Sequence, residues 1–283
     1  MTSHPFNNPP HKKCKHRNTA DRKELLSLLP KTYSTLPIKT IDTSFFVRNI
    51  VCPLTKKFNT SLWDLIPEEY CSTPETFVSY AWTSSLDNIA QACCTNKNVR
   101  YVWIDFVCVC QHSGTEKNKQ EVAKIGNVVK SVGSTLLCLD RDARALSRAW
   151  VLYEIVHSKR IVVAFFGRSG RSIASRSGVT NLRKIKEHAD ALNYVLRVLK
   201  RCLGNGNFEK RTVRCGRTEA YYEKDRKMIL ELVVDRFGSY EKADRYIIRL
   251  IFEGLERYLD DRGCDFSEIA QFSTARRSLI GHE

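Results

Sequence analysis

The chain has 283 residues, a mass of 32.6 kDa and a formal net charge of +15 at pH 7. With 42% hydrophobic residues it can bury a core and form one large domain or two small ones. No apolar run approaches the roughly 18–20 residues of a membrane helix, and the polar, basic N-terminus has no secretory signal, so we expect a cytoplasmic protein.

The first part of the chain predicts little regular structure. Residues 1–20 are polar, with Pro-Pro and a basic cluster, and predict a disordered basic tail. Residues 21–29 predict a short helix that Pro30 ends. The whole of 21–74, interrupted by prolines, is expected to pack as an N-terminal extension against the domain that follows.

From residue 75 short apolar runs alternate with longer amphipathic ones. The runs at 76–80, 100–106, 134–139 and 160–166 predict strands, and the segments 84–95, 119–131 and 146–158 predict helices. Such alternation predicts an α/β fold for residues 75–170: a flavodoxin-like parallel sheet with helices on both faces.

Beyond a Ser/Arg/Gly-rich linker at 167–178, the chain predicts a helical C-terminal region over 180–262. Its helices are expected at 181–202, 218–236 and 240–259. Between residues 157 and 217 there are fifteen Lys or Arg and three acidic residues. This basic segment suits nucleic acid, an anionic membrane face or a phosphate-rich ligand, and the alternative is a solvated basic face.

The eleven cysteines include no Cys-x-x-Cys pair, and most lie inside apolar runs. This spacing is typical of buried free thiols, and zinc binding is the alternative. We predict no metal site and no cofactor.

Ligands of open parallel sheets bind beyond the carboxyl ends of the strands. Ser79, Tyr80 and Trp82 follow the first predicted strand and Asp105 ends the second, so they are candidate substrate-binding residues. An Asp at the end of a strand also commonly caps the next turn, which is the alternative for Asp105.

Trp150 and Glu154 lie four residues apart on the predicted helix 146–158 and therefore share a face. They predict a flat aromatic plate beside a carboxylate, which suits a nucleotide or nicotinamide ring. The alternatives are a core position for Trp150 and, for Glu154, an exposed ion pair with Arg148 or Lys159.

Several segments resemble TIR and TIR-like domains. Phe-Val-Ser-Tyr-Ala-Trp (77–82) resembles their opening strand, and Ser-Arg-Ala-Trp-Val-Leu-Tyr-Glu-Ile (147–155) resembles the signature Ser-x-Trp-Cys-x-x-Glu-Leu, with Val151 in place of Cys. Residues 101–111 resemble the Trp-Ile-Asp-x-x-Cys-Ile-x-Gln stretch of fungal heterokaryon-incompatibility domains. The order of motifs is similar to that of uncharacterised TIR-like proteins from protists and algae, through Pro-Leu-Thr (53–55), Ile-Gly (125–126) and residues 219–229.

This resemblance implies a function in signalling or innate immunity. Active TIR domains cleave NAD⁺ at the nicotinamide–ribose bond, and the required glutamate corresponds to Glu154, with Trp150 part of the same motif. Ser79 and Trp82 would lie at the mouth that binds NAD⁺ as substrate. A homo-oligomer formed through the TIR-like domain is also implied.

Three functions follow from these observations. The first is an NAD⁺ glycohydrolase with Glu154 as catalytic residue. The second is a non-catalytic TIR-like interaction module that self-associates, and the third is a binder of nucleic acid or an anionic surface through the basic segment.

Overall fold

The computed structural model describes residues 41–95, 99–112, 114, 116–140, 143–165, 193, 195–198, 202, 213–220 and 222–261. The predicted basic tail at 1–20, the helix at 21–29 and the linker at 167–178 lie outside the described residues. Of the predicted helix 181–202 only residues 193, 195–198 and 202 are described, and all of them are helical.

A four-stranded parallel sheet forms the centre of the fold. Its strands are β1 (Thr76–Ser79), β2 (Val102–Trp103), β3 (Ser134–Leu139) and β4 (Arg160–Phe165), in the order β2-β1-β3-β4. The predicted α/β fold with a parallel sheet is thereby confirmed. This order equals the first four positions of the doubly wound order 2-1-3-4-5, and the flavodoxin-like arrangement beyond them stays a prediction.

Helices precede, connect and follow the strands. They are α1 (Thr43–Phe46), α2 (Cys52–Lys56), α3 (Leu86–Thr95), α4 (Asp105–Cys108), α5 (Glu116–Ala123), α6 (Ile125–Val132), α7 (Ala149–His157), α8 (Glu223–Phe237) and α9 (Tyr240–Asp260). A π-helical turn at Val47–Val51 joins α1 to α2. Short 3-10 turns lie at Trp63–Leu65, Glu68–Tyr70, Arg144–Ser147 and Cys215–Arg217. None of the helices in these described ranges is long and apolar enough to cross a membrane.

Three predicted elements are shorter or divided in the structure. The strand expected at 100–106 ends at Trp103, because Asp105 starts α4 and its carboxylate accepts the N–H of Phe106 (2.7 Å). The helix expected at 119–131 is two helices, α5 and α6, which meet at Lys124. The helix expected from 218 begins only at Glu223, after a 3-10 turn.

Both faces of the sheet are covered. Val78, Leu136 and Cys138 lie on one face and pack against α3 and the π turn. Leu137 and Ile161 lie on the other and pack against α7 and α9. Residues before 75 and after 180 therefore share cores with the sheet.

The contact between α9 and β4 is close enough to require a glycine. A Cβ added at Gly254 would lie 3.0 Å from the Val163 side chain and 3.1 Å from the Ile161 carbonyl oxygen. The absence of a side chain at this position thus sets how closely α9 approaches the sheet.

Candidate functional site

The candidate site lies at the carboxyl edge of the sheet, beside β1 and β3. In the order β2-β1-β3-β4 the connections from these two neighbouring strands lead in opposite directions, and such a switch point is where open α/β sheets bind ligands. Five of the six predicted site residues are brought together here.

The inner part of the site is a hydrogen bond between β1 and α7. Ser79 Oγ donates to Glu154 Oε2 over 2.5 Å, and the two residues are only 1% and 9% exposed. Arg148 instead pairs with Glu219 (3.9 Å). The alternative of an exposed ion pair for Glu154 is therefore wrong.

Glu154 is a buried carboxyl group without a cationic partner among the described residues. Burial raises its pKa well above the usual value, the bond from Ser79 opposes this, and the nearby Asp105 carboxylate raises it further. Its second oxygen, Oε1, accepts no hydrogen bond from the described part of the chain. A buried ionisable group is costly for stability, so this environment is typical of a functional site.

Asp105 joins the loops that follow β1 and β2. Its Oδ1 accepts the hydroxyl of Tyr80 and the N–H of Phe106, and its Oδ2 accepts the indole N–H of Trp82 (2.8 Å). These donors enclose the carboxylate, so burial raises the pKa of Asp105 although the three hydrogen bonds oppose the shift. Burial next to Asp105 also raises the pKa of Tyr80.

Trp82 forms the outer, solvent-facing part of the site. The residue is 40% exposed although its indole N–H is bonded to Asp105. Its carbonyl oxygen accepts the N–H of Ser44 (3.1 Å), and the N–H of Thr43 donates to Ser84 (3.0 Å). The N-terminal segment thus holds the loop after β1 in place.

Trp150 is the predicted site residue that does not join this group. It is half-buried and packs edge-to-face on Tyr153, with ring centroids 5.8 Å apart. It also packs against the cluster of Phe77, Ile125 and Val129. Trp82, rather than Trp150, presents an aromatic surface to solvent at this edge of the sheet.

Sequence reasoning missed the residues that hold the neighbouring loop. Gln111 donates its side-chain amide to the carbonyl oxygens of Asp105 (3.0 Å) and Val109 (2.9 Å). Thr55 Oγ1 donates to Val51 and lies 2.9 Å from His112 Nε2. Gln111 is the last residue of the motif at 101–111, and Thr55 is the last residue of the motif at 53–55. These motif positions were the signal in the sequence that could have identified them.

Arg226, in the last of the quoted motifs, has a structural role. Its guanidinium donates to the carbonyl oxygens of Thr218 (2.7 Å) and Gly216 (2.8 Å) and pairs with Glu223. The adjoining Glu219 exchanges backbone hydrogen bonds with Ser147 and Ala149, at the start of α7. Arg226 therefore fixes the turn that borders the helix of Glu154.

The described cysteines are free thiols; four of them are buried as predicted, whereas four are partly buried and Cys94 is exposed. Nine of the eleven are described and none forms a disulfide. Within the described ranges no three His, Cys, Asp or Glu side chains are grouped closely enough to hold a metal ion.

Comparisons with known proteins identify no relative. No family model matches the chain, and no curated protein or solved structure matches it.

Proposed function

We propose that this chain is a TIR-like signalling or defence protein that cleaves NAD⁺ between nicotinamide and ribose, with Glu154 as the catalytic residue. The observation that carries the proposal is the placement of Glu154. It is a buried carboxyl group, oriented by Ser79 at the switch point of a parallel sheet, with one oxygen left for a ligand. The motif resemblance of residues 147–155 supports the same role.

The reaction breaks the bond between the ribose C1′ and the pyridinium nitrogen. The bonding electron pair leaves with nicotinamide, and positive charge develops on the ribose ring as an oxocarbenium-like centre. A carboxylate at Glu154 Oε1 can accept a ribose hydroxyl and stabilise that charge. Water then adds to C1′ and loses a proton, which gives ADP-ribose.

The raised pKa of Glu154 fits this chemistry because the substrate ring is a cation. An opposite charge within a few ångströms lowers a carboxyl pKa, so binding of the pyridinium favours the carboxylate form that the reaction needs. In the absence of ligand, burial favours the neutral form. We therefore expect turnover to rise with pH through the pKa of Glu154.

A second candidate is a non-catalytic module that self-associates. Tyr222, Met228 and Leu232, on and just before α8, are 47%, 40% and 42% exposed. Exposed apolar side chains on one helix favour an interaction surface. The third candidate is binding of nucleic acid or an anionic surface through the basic segment at 157–217. Most of this segment lies outside the described residues.

The test is release of nicotinamide from NAD⁺ by purified protein at high concentration. Glu154→Gln keeps the size and hydrogen-bonding shape of the side chain but removes its charge, and should lower the rate by at least about 100-fold, as loss of transition-state stabilisation does elsewhere. Glu231→Gln, on the exposed side of α8, is the matched control and should keep the wild-type rate.

Two results would count against the enzyme. Equal rates for wild type and Glu154→Gln would mean that Glu154 does not catalyse the reaction. No release by folded wild type, together with concentration-dependent assembly, would instead favour the interaction module.

A further inference from the structure

Trp82 differs from the other tryptophans of the chain. All four are described, and Trp82 is the most exposed of them, whereas the other three are half-buried. Trp103 stacks on Phe77 with centroids 4.8 Å apart, and Trp150 packs on Tyr153. An exposed indole loses apolar stabilisation relative to a buried one, so folding alone gives no reason for its position.

Hydrogen bonds nevertheless hold both the side chain and the backbone of Trp82. Its indole N–H donates to Asp105 Oδ2 over 2.8 Å, and its backbone carbonyl accepts the N–H of Ser44. Asp105 is in turn held by Tyr80 and by Gln111. These hydrogen bonds position the exposed Trp82 before any ligand arrives, which lowers the entropic cost of binding.

We propose that the exposed Trp82 binds a flat cationic ring, an N-substituted pyridinium, and that Asp105 is its positioning residue. Indole is the best aromatic partner for a cation. Asp105, which accepts the indole N–H, places a carboxylate at the edge of the same ring. The choice of pyridinium rests on the proposed function, because that is the ring NAD⁺ would bring to this edge of the sheet.

The test separates ring binding from bond cleavage by use of 1-methylnicotinamide, a pyridinium that carries a methyl group in place of ribose. Its binding is measured by ligand-observed NMR titration on the full chain. Neutral nicotinamide, which has the same ring without the charge, is the reference ligand. Wild type should bind the cation more tightly than nicotinamide.

Two variants locate the binding surface. Trp82→Leu should weaken binding of 1-methylnicotinamide about tenfold, which corresponds to about 1.4 kcal/mol. Tyr70→Leu removes an aromatic side chain that is 69% exposed and should leave the dissociation constant unchanged. Equal binding by wild type and Trp82→Leu would overturn the proposal.

Asp105→Asn tests the positioning residue. A single amide oxygen cannot accept from Tyr80, Phe106 and Trp82 as the two carboxylate oxygens do, and the charge is lost. The variant should lose the preference for 1-methylnicotinamide over nicotinamide and exchange the Trp82 indole hydrogen faster. An unchanged preference would refute the role of Asp105.

These results are independent of catalysis. Pyridinium binding at Trp82 without nicotinamide release would support the role of Trp82 and contradict the proposed enzymatic function. Glu154-dependent cleavage with no effect of Trp82→Leu on 1-methylnicotinamide binding would support the proposed enzyme and contradict the role of Trp82.

Discussion

The buried carboxyl group of Glu154 should make the stability of the protein fall as pH rises. The unfolded chain releases this proton near the ordinary pKa of 4.5, whereas burial raises the pKa in the folded protein well above that value. Between the two values the folded state holds more protons than the unfolded state. The contribution to stability is therefore complete below pH 4.5 and is lost as pH rises through the folded pKa.

Glu154→Gln isolates this effect because glutamine has nearly the same size and does not titrate. The difference in unfolding free energy, wild type minus variant, should fall by about 1.4 kcal/mol for each pH unit between 4.5 and the folded pKa. Titration of Asp105 and of other groups is common to both proteins and largely cancels in the difference. We therefore expect the difference to be smaller at pH 7 than at pH 5.

The assay is urea unfolding followed by circular dichroism at pH 5, 6 and 7 and constant ionic strength. Equal m-values for the two proteins would show that both unfold from similar folded states. Glu231→Gln, exposed on α8, should show no comparable fall relative to wild type. Parallel curves for wild type and Glu154→Gln from pH 5 to pH 7 would refute the reasoning, because Glu154 would then be ionised in the folded protein throughout.

Three further predictions concern residues around the site. Ser79→Ala removes the hydrogen bond that lowers the pKa of Glu154, so the pH-dependent loss of stability should extend to higher pH in the same urea experiment. Gly126→Ala would place a Cβ against Tyr153 Oη and cost about 1–3 kcal/mol, and a double-mutant cycle with Tyr153→Phe should recover part of this cost. Arg226→Ala removes two charge-assisted bonds to the neighbouring turn and should cost about 1.5–3 kcal/mol in thermal unfolding, with little rescue by Arg226→Lys because lysine lacks the planar fork of donors.

The sheet could be predicted from the sequence because its strands are nearly continuous apolar runs. Strand β3 was predicted with its observed bounds, 134–139, and five of its six residues are buried. Strand β2 was predicted too long because the apolar run 100–110 continues through α4, and apolar runs do not distinguish a buried strand from a buried helical turn. The Asp at position 105 was the local signal for a helix start.

The site could be predicted in part, because parallel strands place their following residues at one edge whatever the remaining structure. That rule alone placed Ser79, Tyr80, Trp82 and Asp105 together. It could not reveal which of their side chains reach solvent. The hydroxyl of Ser79 faces α7 inside the protein, whereas Trp82, three residues later, is held outward by Asp105.

The packing of Trp150 away from the other predicted site residues has a general physical cause. The spacing of four residues places two side chains on one face of a helix, but it does not say what covers that face. Helix α7 packs against α6 and the C-terminal helices and shares a buried core with the sheet, so the face shared by Trp150 and Glu154 is largely covered. There Trp150 packs against apolar and aromatic side chains. The carboxyl group of Glu154 instead accepts a hydrogen bond from Ser79. A leucine in this position would pack without the desolvation cost of a carboxyl group. The presence of a carboxyl group there favours a functional role for Glu154 over a stabilising one.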